Sequence, residues 1–299
     1  MAFVQFVVNG LLVGALFAAV AVGFALIWGV VDIINLAHGE MMMLGGYVSY
    51  YTLTLVTGAQ GTSPNASPLL AIATVPVAMA VLFAVGYALQ RGLVSQVTGT
   101  DLFLTLLVTF GLSILIQQLT IQAVTANPRT ISVTFADPSL TVVGIVMEKL
   151  KLIAFVGALA LTAGMFGFLK TTRTGRAIRA VAQNPEAAAL VGIDVEHARA
   201  TTFGLSSAIA AGAGAFIAMI LSIDPQMGLI YTLKSFVIVV FGGIGSVPGA
   251  LVGGLLLGTV EELTAGLVSS KWTLAVSFSL LIVLLVVKPS GLFGEGVEE

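Results

Sequence analysis

The chain contains no cysteine, so neither a disulfide framework nor a thiolate metal site can form. Charge is also scarce: Asp, Glu, Lys and Arg make up 9% of the 299 residues, whereas soluble domains carry about 25%. The formal net charge is only −2, which provides no basic surface for nucleic acid. These absences exclude an ordinary water-soluble globule, and no nucleic-acid partner is expected.

Apolar residues dominate the composition of the chain. They make up 58% of the chain, and the mean hydropathy is +1.09. Ala, Leu, Val and Gly dominate the apolar runs, without the alternation of polar and apolar residues that barrel strands require. The first Lys or Arg is Arg91, so the first apolar run lacks the basic flank of a cleavable signal and is interpreted as a retained span. The composition predicts an all-α integral membrane protein with one transmembrane domain over residues 1–299.

A spanning helix needs about 20 consecutive apolar residues, and this length divides the chain into a polytopic bundle of about eight transmembrane helices. We place them at about residues 6–30, 33–55, 69–89, 102–124, 152–169, 203–223, 236–260 and 274–287. The spans at 33–55 and 236–260 contain polar or glycine-rich interruptions and are predicted to be broken. The longer connection at 125–150 is predicted to form a small hairpin on the membrane surface.

Basic residues in short loops mark the cytoplasmic side of a membrane protein. Arg91 follows the third span and a basic cluster follows the fifth, so both loops are predicted to be cytoplasmic. The loop after the second span has no Lys or Arg and is expected outside. Eight complete crossings would then place both ends of the chain outside.

The first broken span carries four polar side chains within nine residues: Asp32, Asn35, His38 and Glu40. Ionisable groups are costly in a membrane and usually face a cavity or the bundle interior. One interpretation is a half-helix whose free amide groups are offered to a solute carboxylate. The alternative is that Asp32 and Asn35 only cap a helix, the role that we favour for Asp32. His38 and Glu40 would then bond to each other in a packed interior. The predicted pathway residues in this span are Asn35, His38, Gly39, Glu40, Gly45 and Gly46.

The second broken span contains the sequence FGGIGSVPG. Such a stretch cannot form a continuous helix, and backbone freed in this way is typical of a segment that lines a cavity. The predicted pathway therefore extends to Gly242, Gly243 and Gly245. The glycines that follow have the four-residue spacing of closely packed helices: Gly249, Gly253, Gly254 and Gly258.

Residues 170–201 are the one long polar segment of the chain. They hold five of its twelve basic residues: Lys170, Arg173, Arg176, Arg179 and Arg199. Asn184 is typical of an N-cap, Pro185 of a first helical position and Glu186 of a first turn. Gly192 is a helix stop signal. The sequence predicts a short helix after a basic amphipathic one, and from the residues alone a solvated loop that binds lipid headgroups is the favoured interpretation.

The short helix carries the pattern Glu186-Ala187-Ala188-x-x-x-Gly192, which resembles the EAA motif of ABC importer permeases, the segment that docks in a groove of the ATPase subunit. Three longer stretches are similar, in order, to sequences of the branched-chain amino acid permease family. They are GLLVGALFAAVAVGFALIWGVVDIINLAHGEMMMLGGYVS, TGRAIRAVAQNPEAAALVGIDVEHARATTFGLSSAIA, and FGGIGSVPGALVGGLLLG with PSGLFG. The resemblance covers nearly the whole chain and is closer to the first of two paralogous permease subunits.

This resemblance implies a multi-pass permease subunit in the cell inner membrane, with branched-chain amino acids as its small-molecule substrates. The implied partners are the paralogous permease, membrane lipid, two cytoplasmic ATPase subunits and an extracytoplasmic solute-binding protein. Residues 170–201, named the coupling segment from here on, would contact the ATPase through Arg176, Arg179, Asn184, Pro185, Glu186, Ala187, Ala188 and Gly192. The chain has no Gly-x-x-x-x-Gly-Lys-[Ser/Thr] run, so ATP and Mg are expected on the partner ATPases, and neither enzymatic activity nor a cofactor is expected here.

Three alternatives stay open at the level of sequence. Related permeases of the family serve urea, short amides or other amino acids, and no residue pattern separates these solutes. An autonomous channel or secondary carrier would use Glu40, Glu261 and Glu262 as relay groups, although Glu261 and Glu262 are expected near a span end. An intramembrane enzyme would need a convergent catalytic set, and the sequence has two His, no Cys and no HExxH motif.

Overall fold

The structure is a computed structural model that describes residues 2–59, 65–99, 101–135, 137–142, 144–288 and 291. Within these residues the helices are α1 (Ala2–Val31), α2 (His38–Thr57), α3 (Pro68–Gly92), α4 (Leu102–Val124), α5 (Lys149–Thr171), α6 (Arg173–Gln183), α7 (Pro185–Leu190), α8 (Val195–Ile220), α9 (Met227–Gly242), α10 (Val247–Leu267) and α11 (Thr273–Val287). The short strands are β1 (Asn65–Ala66), β2 (Ser132–Val133), β3 (Ser139–Val142) and β4 (Ile145–Glu148), and 3₁₀ turns cover Val94–Gln96 and Ser270–Trp272.

The predicted all-α polytopic architecture is confirmed. Seven segments are long and apolar enough to cross a membrane, and they correspond to α1, α3, α4, α5, α8, α10 and α11. Two further apolar helices lie outside this set: α2, which opens with the polar sequence His38-Gly39-Glu40, and α9, which has only 16 residues. Both of these helices belong to the segments that were predicted to be broken.

α1 and α8 form the centre of the bundle, and both are buried along most of their length. Beyond Gln5 and Asn9 near its start, α1 is apolar on every face, which is typical of a helix enclosed by others. α10 approaches it closely, because a Cβ added at Gly14 would lie 2.7 Å from the carbonyl oxygen of Gly254. A Cβ at Gly10 would lie 2.8 Å from the carbonyl oxygen of Gly258. The packing role predicted for the glycines of residues 249–258 is confirmed.

α8 packs against α2 in the same way. A Cβ added at Gly45 would overlap the backbone of Ala211. A Cβ at Gly214 would overlap the carbonyl of Met42, and one at Gly46 would lie 3.2 Å from the Gly214 carbonyl oxygen. Only residues without a side chain allow two helix backbones this close.

The first predicted break lies between α1 and α2. α1 ends at Val31, and Asp32 adopts a left-handed conformation with φ of 58°. Residues 32–37 contain no regular helix, and α2 then runs without interruption from His38 to Thr57. The interruption therefore precedes the second helix and does not divide it.

The second predicted break separates two helices, so the prediction of one interrupted span at 236–260 is wrong in its boundaries. α9 ends at Gly242, Gly243 has φ of 94°, and α10 begins at Val247. The two helices pack as a hairpin, since a Cβ at Gly253 would lie 2.8 Å from the Ile238 carbonyl oxygen. A glycine-rich turn thus reverses the chain where a kinked span was expected.

This hairpin changes the expected topology. Gly291, after α11, lies against Gly243, and the turn that holds Gly243 shares a cavity with Arg179 of the coupling segment. α11 therefore ends on the side of the coupling segment. The expectation that both chain ends lie on the opposite side is wrong for α11, because two helices of opposite direction, α9 and α10, stand where one span was counted. The rest of the PSGLFG stretch lies outside the described residues.

The loop after α3 and the coupling segment lie on the same side of the bundle, as the distribution of basic residues predicted. Tyr87 Oη lies 3.0 Å from Nδ1 of His197, and the Arg91 guanidinium lies 5.6 Å from the centre of the Tyr87 ring. The predicted hairpin in residues 125–150 is also present, as the antiparallel pair β3–β4. It lies at the other end of α1, where the Gln5 side chain bonds the backbone of Val146.

Candidate functional site

The first amide groups of α2 are already occupied by protein acceptors. The Ala37 amide donates to Oδ1 of Asn35 at 3.0 Å, and the His38 amide donates to the Asn35 carbonyl at 3.2 Å. The Gly39 amide donates to Oγ1 of Thr232 in α9 at 2.8 Å. In this conformation these three amides are not free for a solute carboxylate, so that part of the half-helix interpretation is wrong. Asn35 instead organises the turn that precedes the helix.

His38 is buried and ties α2 to the two central helices. Its Nε2 lies 2.9 Å from the carbonyl oxygen of Val20 in α1, and its Nδ1 lies 3.5 Å from Oγ of Ser206 in α8. The Phe24 ring packs edge-on against the imidazole with 5.6 Å between ring centres. His38 therefore has partners on α1 and α8, and the expectation that it pairs with Glu40 is wrong.

Glu40 points toward α4 and α9. Its side chain is 1% exposed, and its Oε1 accepts a hydrogen bond of 2.9 Å from Oγ of Ser113. Its other oxygen, Oε2, has no hydrogen-bond partner among the described residues. Gly228 of α9 leaves room for this carboxyl group, because a Cβ there would overlap it. A buried carboxyl group with one unmatched oxygen is costly, and native proteins keep few such groups, which makes Glu40 a candidate functional residue.

Asp32 does not cap a helix, contrary to the role that we favoured for it. The N-cap of α2 is Ala37, and no side chain caps this helix. Asp32 is exposed and lines a cavity of about 380 Å³ at the end of α1. The other lining residues come from α1, the segment before α2, the start of α4 and α8: Trp28, Val31, Ile33, Ile34, Gly99, Leu102, Thr105 and Arg199.

A row of hydroxyl groups on α4 leads from this cavity to Glu40. α4 buries five residues, and four of them carry hydroxyl groups: Thr105, Thr109, Leu112, Ser113 and Thr120. Thr105 lines the cavity, Thr109 Oγ1 donates to the Ile34 carbonyl at 3.2 Å, and Ser113 bonds Glu40. We name Thr105, Thr109 and Ser113, with Ile34 and Glu40, the polar seam. The sequence reasoning missed it, although hydroxyl residues four apart in an apolar helix were a usable signal.

The predicted pathway glycines fall in two different places. Gly45 and Gly46 pack against α8, as described above. Gly242 packs against Gly249 within the α9–α10 hairpin, and Gly245, with φ of 76°, lines a second cavity of about 250 Å³ beside Arg179. The structure therefore joins Asn35, His38, Gly39 and Glu40 at one location but separates the hairpin glycines from them.

The coupling segment is built from local signals. Oγ1 of Thr172 caps α6 by accepting from the Gly175 amide at 2.9 Å. Oδ1 of Asn184 caps α7 by accepting from the Ala187 amide at 2.9 Å, and Pro185 occupies the first turn as predicted. The cap and the proline of the short helix are confirmed.

The end of α7 is equally well defined. Gly192 has φ of 84°, its amide donates to the Ala189 carbonyl at 3.0 Å, and the Ile193 amide donates to the Ala188 carbonyl at 3.0 Å. This pair of bonds is the Schellman arrangement, in which a left-handed glycine closes a helix. The predicted stop at Gly192 is confirmed.

α7 shows one apolar end to solvent. Ala188 is buried in a cluster with Ile178 and Val181 of α6, which holds the short helix against the bundle. Leu190 is 89% exposed and Val191 is 77% exposed, and Glu186 in the first turn is exposed too. Arg176 and Arg179 lie on α6, and of these two Arg179 lines the cavity shared with Gly245.

A buried ion pair fixes the far part of the α9–α10 hairpin. Nζ of Lys234 lies 2.6 Å from Oε2 of Glu261, and Oγ of Ser277 in α11 donates to Oε1 of Glu261 at 3.0 Å. Glu261 lies near the end of a span, as expected, since it is in the last two turns of α10, and it is buried there. Glu40 and Glu261 share no hydrogen-bond partner among the described residues, so the structure provides no direct support for a carboxylate relay.

The sequence is similar to known permeases over almost its full length. Residues 6–285 match the family described as branched-chain amino acid transport system / permease component. The high-affinity branched-chain amino acid transport system permease protein BraD of Pseudomonas aeruginosa is 32% identical over 299 residues, which cover 98% of this chain and 96% of BraD. LivH of Escherichia coli, a permease protein of the same description, is 32% identical over 303 residues with the same coverage. The chain therefore belongs to the family of permease components of branched-chain amino acid transport systems.

Proposed function

We propose that this chain is the transmembrane subunit of an ABC importer for branched-chain amino acids in the cell inner membrane. The solute is taken from the names of BraD and LivH. The proposed partners are a paralogous permease subunit, an extracytoplasmic solute-binding protein and two cytoplasmic ATPases that bind ATP and Mg. In this proposal the chain has no nucleotide site of its own, and residues 1–299 act as one transmembrane domain.

The observation that carries the proposal is the exposed, doubly capped helix α7. Leu190 and Val191 are exposed on a water-facing segment, where large apolar side chains gain nothing unless a partner covers them. Glu186 adds a negative charge at the helix start, where the macrodipole stabilises it. A rigid helix with an apolar tip suits a groove on a partner protein better than a lipid surface, which basic residues would be expected to face.

The packing of α7 would also transmit a displacement of this helix to the membrane spans. Ala188 packs with Ile178 of α6. Gly175 of α6 lies directly against the backbone of Phe168 and Leu169 at the end of α5, where a Cβ would overlap it. α8 follows α7 after four residues. Closure of the ATPase dimer would therefore displace α5 and α8 as rigid bodies. Alternating access requires such a rigid-body movement.

We place the translocation pathway along the polar seam and the start of α2. Asn35, His38, Gly39 and Glu40 form its buried part, with Gly45 and Gly46 as the surface on which α2 slides against α8. Gly242, Gly243 and Gly245 are proposed as the hinge of the neighbouring hairpin. Hydroxyl groups and an unmatched carboxyl oxygen inside an apolar bundle favour a route that is hydrated in another conformation.

The test is Glu186→Arg in the assembled transporter in proteoliposomes. The reversed charge opposes both the groove contact and the helix dipole, so co-purification of the ATPases and ATP-driven uptake should both fall to background. Glu196→Arg is the matched control, because Glu196 is an exposed acid in the first turn of α8 but lies outside α7. Unchanged ATPase association and uptake in Glu186→Arg would refute the coupling role.

A further inference from the structure

We propose that the cavity between Asp32 and Arg199, named the charged vestibule, is a solute-binding subsite for a zwitterionic amino acid with an apolar side chain. This inference rests on the proposed function and deepens it, because it assigns residues to the recognition of the solute. The cavity measures about 380 Å³, within the range of about 300–1,000 Å³ that small-molecule sites occupy.

The two charged side chains of the vestibule are not in direct contact. Asp32 and Arg199 line the same cavity, yet they do not form an ion pair, since the pairs within 4.0 Å among the described residues involve other side chains. Nε of Arg199 is buried without a hydrogen-bond partner. Opposite charges that are held apart match the ammonium and carboxylate groups of one amino acid. The guanidinium group is suited to bidentate binding of a carboxylate.

The carboxyl end of α1 has the same negative polarity as the Asp32 side chain. Asp32 and Val31 lie at the carboxyl end of the 30-residue α1, which favours a cation. Leu102 and Thr105 lie in the first turn of α4, whose amino end is already capped by the Asp101 carboxylate. A bound ammonium group beside Asp32 would be stabilised by the field of α1 as well.

Part of the remaining wall is apolar, and Gly99 and Thr105 supply the rest. Trp28, Val31 and Leu102 line it together with Ile33 and Ile34. A branched aliphatic side chain would be removed from water against this wall, which is favourable in proportion to the apolar area covered. The vestibule thus distinguishes an apolar zwitterion from amines, carboxylic acids and charged amino acids.

The position of the vestibule fits the last step of import. Arg199 belongs to the coupling segment, so the cavity lies on the side of the ATPases in the proposed assembly. Thr105 belongs both to its wall and to the polar seam, which continues through Thr109 to Ser113. The subsite would receive the solute from the seam before release into the cytoplasm.

A cysteine at Leu102 provides a direct test, because the chain has no natural cysteine and Leu102 is 52% exposed. The full complex is placed in proteoliposomes without ATP, and the rate at which a water-soluble thiol reagent labels this subunit is measured. L-Leucine on the coupling side should slow the labelling of Leu102→Cys. 3-Methylbutylamine and 4-methylpentanoate, which lack one charge each, should not. Gln96→Cys on the same side, outside the cavity, is the control whose labelling should not change.

Two further substitutions test the assignment of each charge in the Leu102→Cys background. Asp32→Asn is chosen because Asn also tolerates the left-handed backbone at this position, where φ is 58°. It should raise the half-protecting leucine concentration about tenfold, as the loss of a charged hydrogen bond predicts, and 4-methylpentanoate should then protect as well as leucine. Arg199→Gln should give the reverse preference, with 3-methylbutylamine as the equal of leucine. If Asp32 and Arg199 had purely structural roles, the two substitutions would not change which of the singly charged compounds protects.

The outcomes separate this inference from the proposed function. Branched-chain uptake by proteoliposomes that hold the Gln96→Cys complex, supplied with ATP and the binding protein, is measured in parallel. Uptake without protection by leucine, or equal protection of Gln96→Cys, would overturn the vestibule alone. Protection without any branched-chain uptake would overturn the proposed transport function and leave the subsite standing. Protection with unchanged preferences in both Asp32→Asn and Arg199→Gln would contradict the charge assignment and with it the proposal.

Discussion

The coupling segment and the polar seam are built on opposite principles. The hydrogen bonds that shape α7 join residues no more than five positions apart, such as Asn184 with Ala187 and Ala188 with Ile193. The bonds of the seam join residues that are 73 and 75 positions apart, Ser113 with Glu40 and Thr109 with Ile34. A locally determined helix keeps its shape while it moves, whereas contacts between distant helices separate when the helices shift. The coupling segment is therefore suited to transmit a displacement, and the polar seam is suited to open.

The largest effect is expected where α2 meets α8. Gly45→Leu would drive a side chain into the backbone of Ala211, so α2 and α8 cannot both keep their positions. We expect the folded, monodisperse fraction of the subunit in detergent to be lost. Gly111→Leu is the control, because a Cβ at Gly111 meets nothing within 4 Å. A Gly45→Leu protein with the thermal stability of Gly111→Leu would show that this contact does not hold the seam region together.

An intermediate effect is expected from Ser113→Ala. The substitution removes the hydrogen-bond partner of Glu40 Oε1 and leaves the buried carboxyl group without a partner among the described residues. Uptake should fall about tenfold, because an unsatisfied buried group costs about 1–3 kcal/mol, while ATPase association should stay unchanged. Thr120→Ala is the control, since the one side-chain bond of Thr120 among the described residues is to the Ile116 carbonyl of its own helix. Equal uptake in Ser113→Ala and Thr120→Ala would remove the seam from the pathway.

The smallest of these three effects is expected from Asn184→Ala, which removes a helix cap and no partner contact. Asn184→Ala removes the side chain that caps α7 at 2.9 Å and should cost about 1 kcal/mol of local helix stability. Uptake should fall about fivefold or less, with the thermal stability of the transmembrane region unchanged. Asn184→Asp retains the cap and should restore uptake. A loss of global stability in Asn184→Ala would mean that α7 is part of the core and not a separate lever.

The sequence was informative wherever the structure depends on neighbours in the chain. The cap at Asn184, the proline at 185 and the stop at Gly192 were predicted to the residue, because each is satisfied within one helical turn. The helical class and most spans were predicted because length and hydropathy alone determine which segments cross a membrane. The glycine spacing of residues 249–258 also predicted close packing.

The sequence was misleading where a contact joins distant helices. Nothing near Glu40 reveals that Ser113, rather than His38, is its partner. The ion pair of Glu261 with Lys234 on the preceding helix was not recognised, because the two residues are 27 positions apart in the chain. The FGGIGSVPG stretch was interpreted as a break in one span, because a tight turn between two helices carries the same glycines as a cavity-lining break.

The central claim is that a displacement of α7 opens the polar seam. Ser113→Cys tests it, because Ser113 is 4% exposed in this conformation and its thiol is hidden from water-soluble reagents until α4 and α2 separate. We predict that the rate of thiol labelling in the full complex differs between the nucleotide-free and ATP-bound states, and that Asn184→Ala reduces this difference. A labelling rate that stays the same in both states, while the complex continues to hydrolyse ATP and take up solute, would contradict the account.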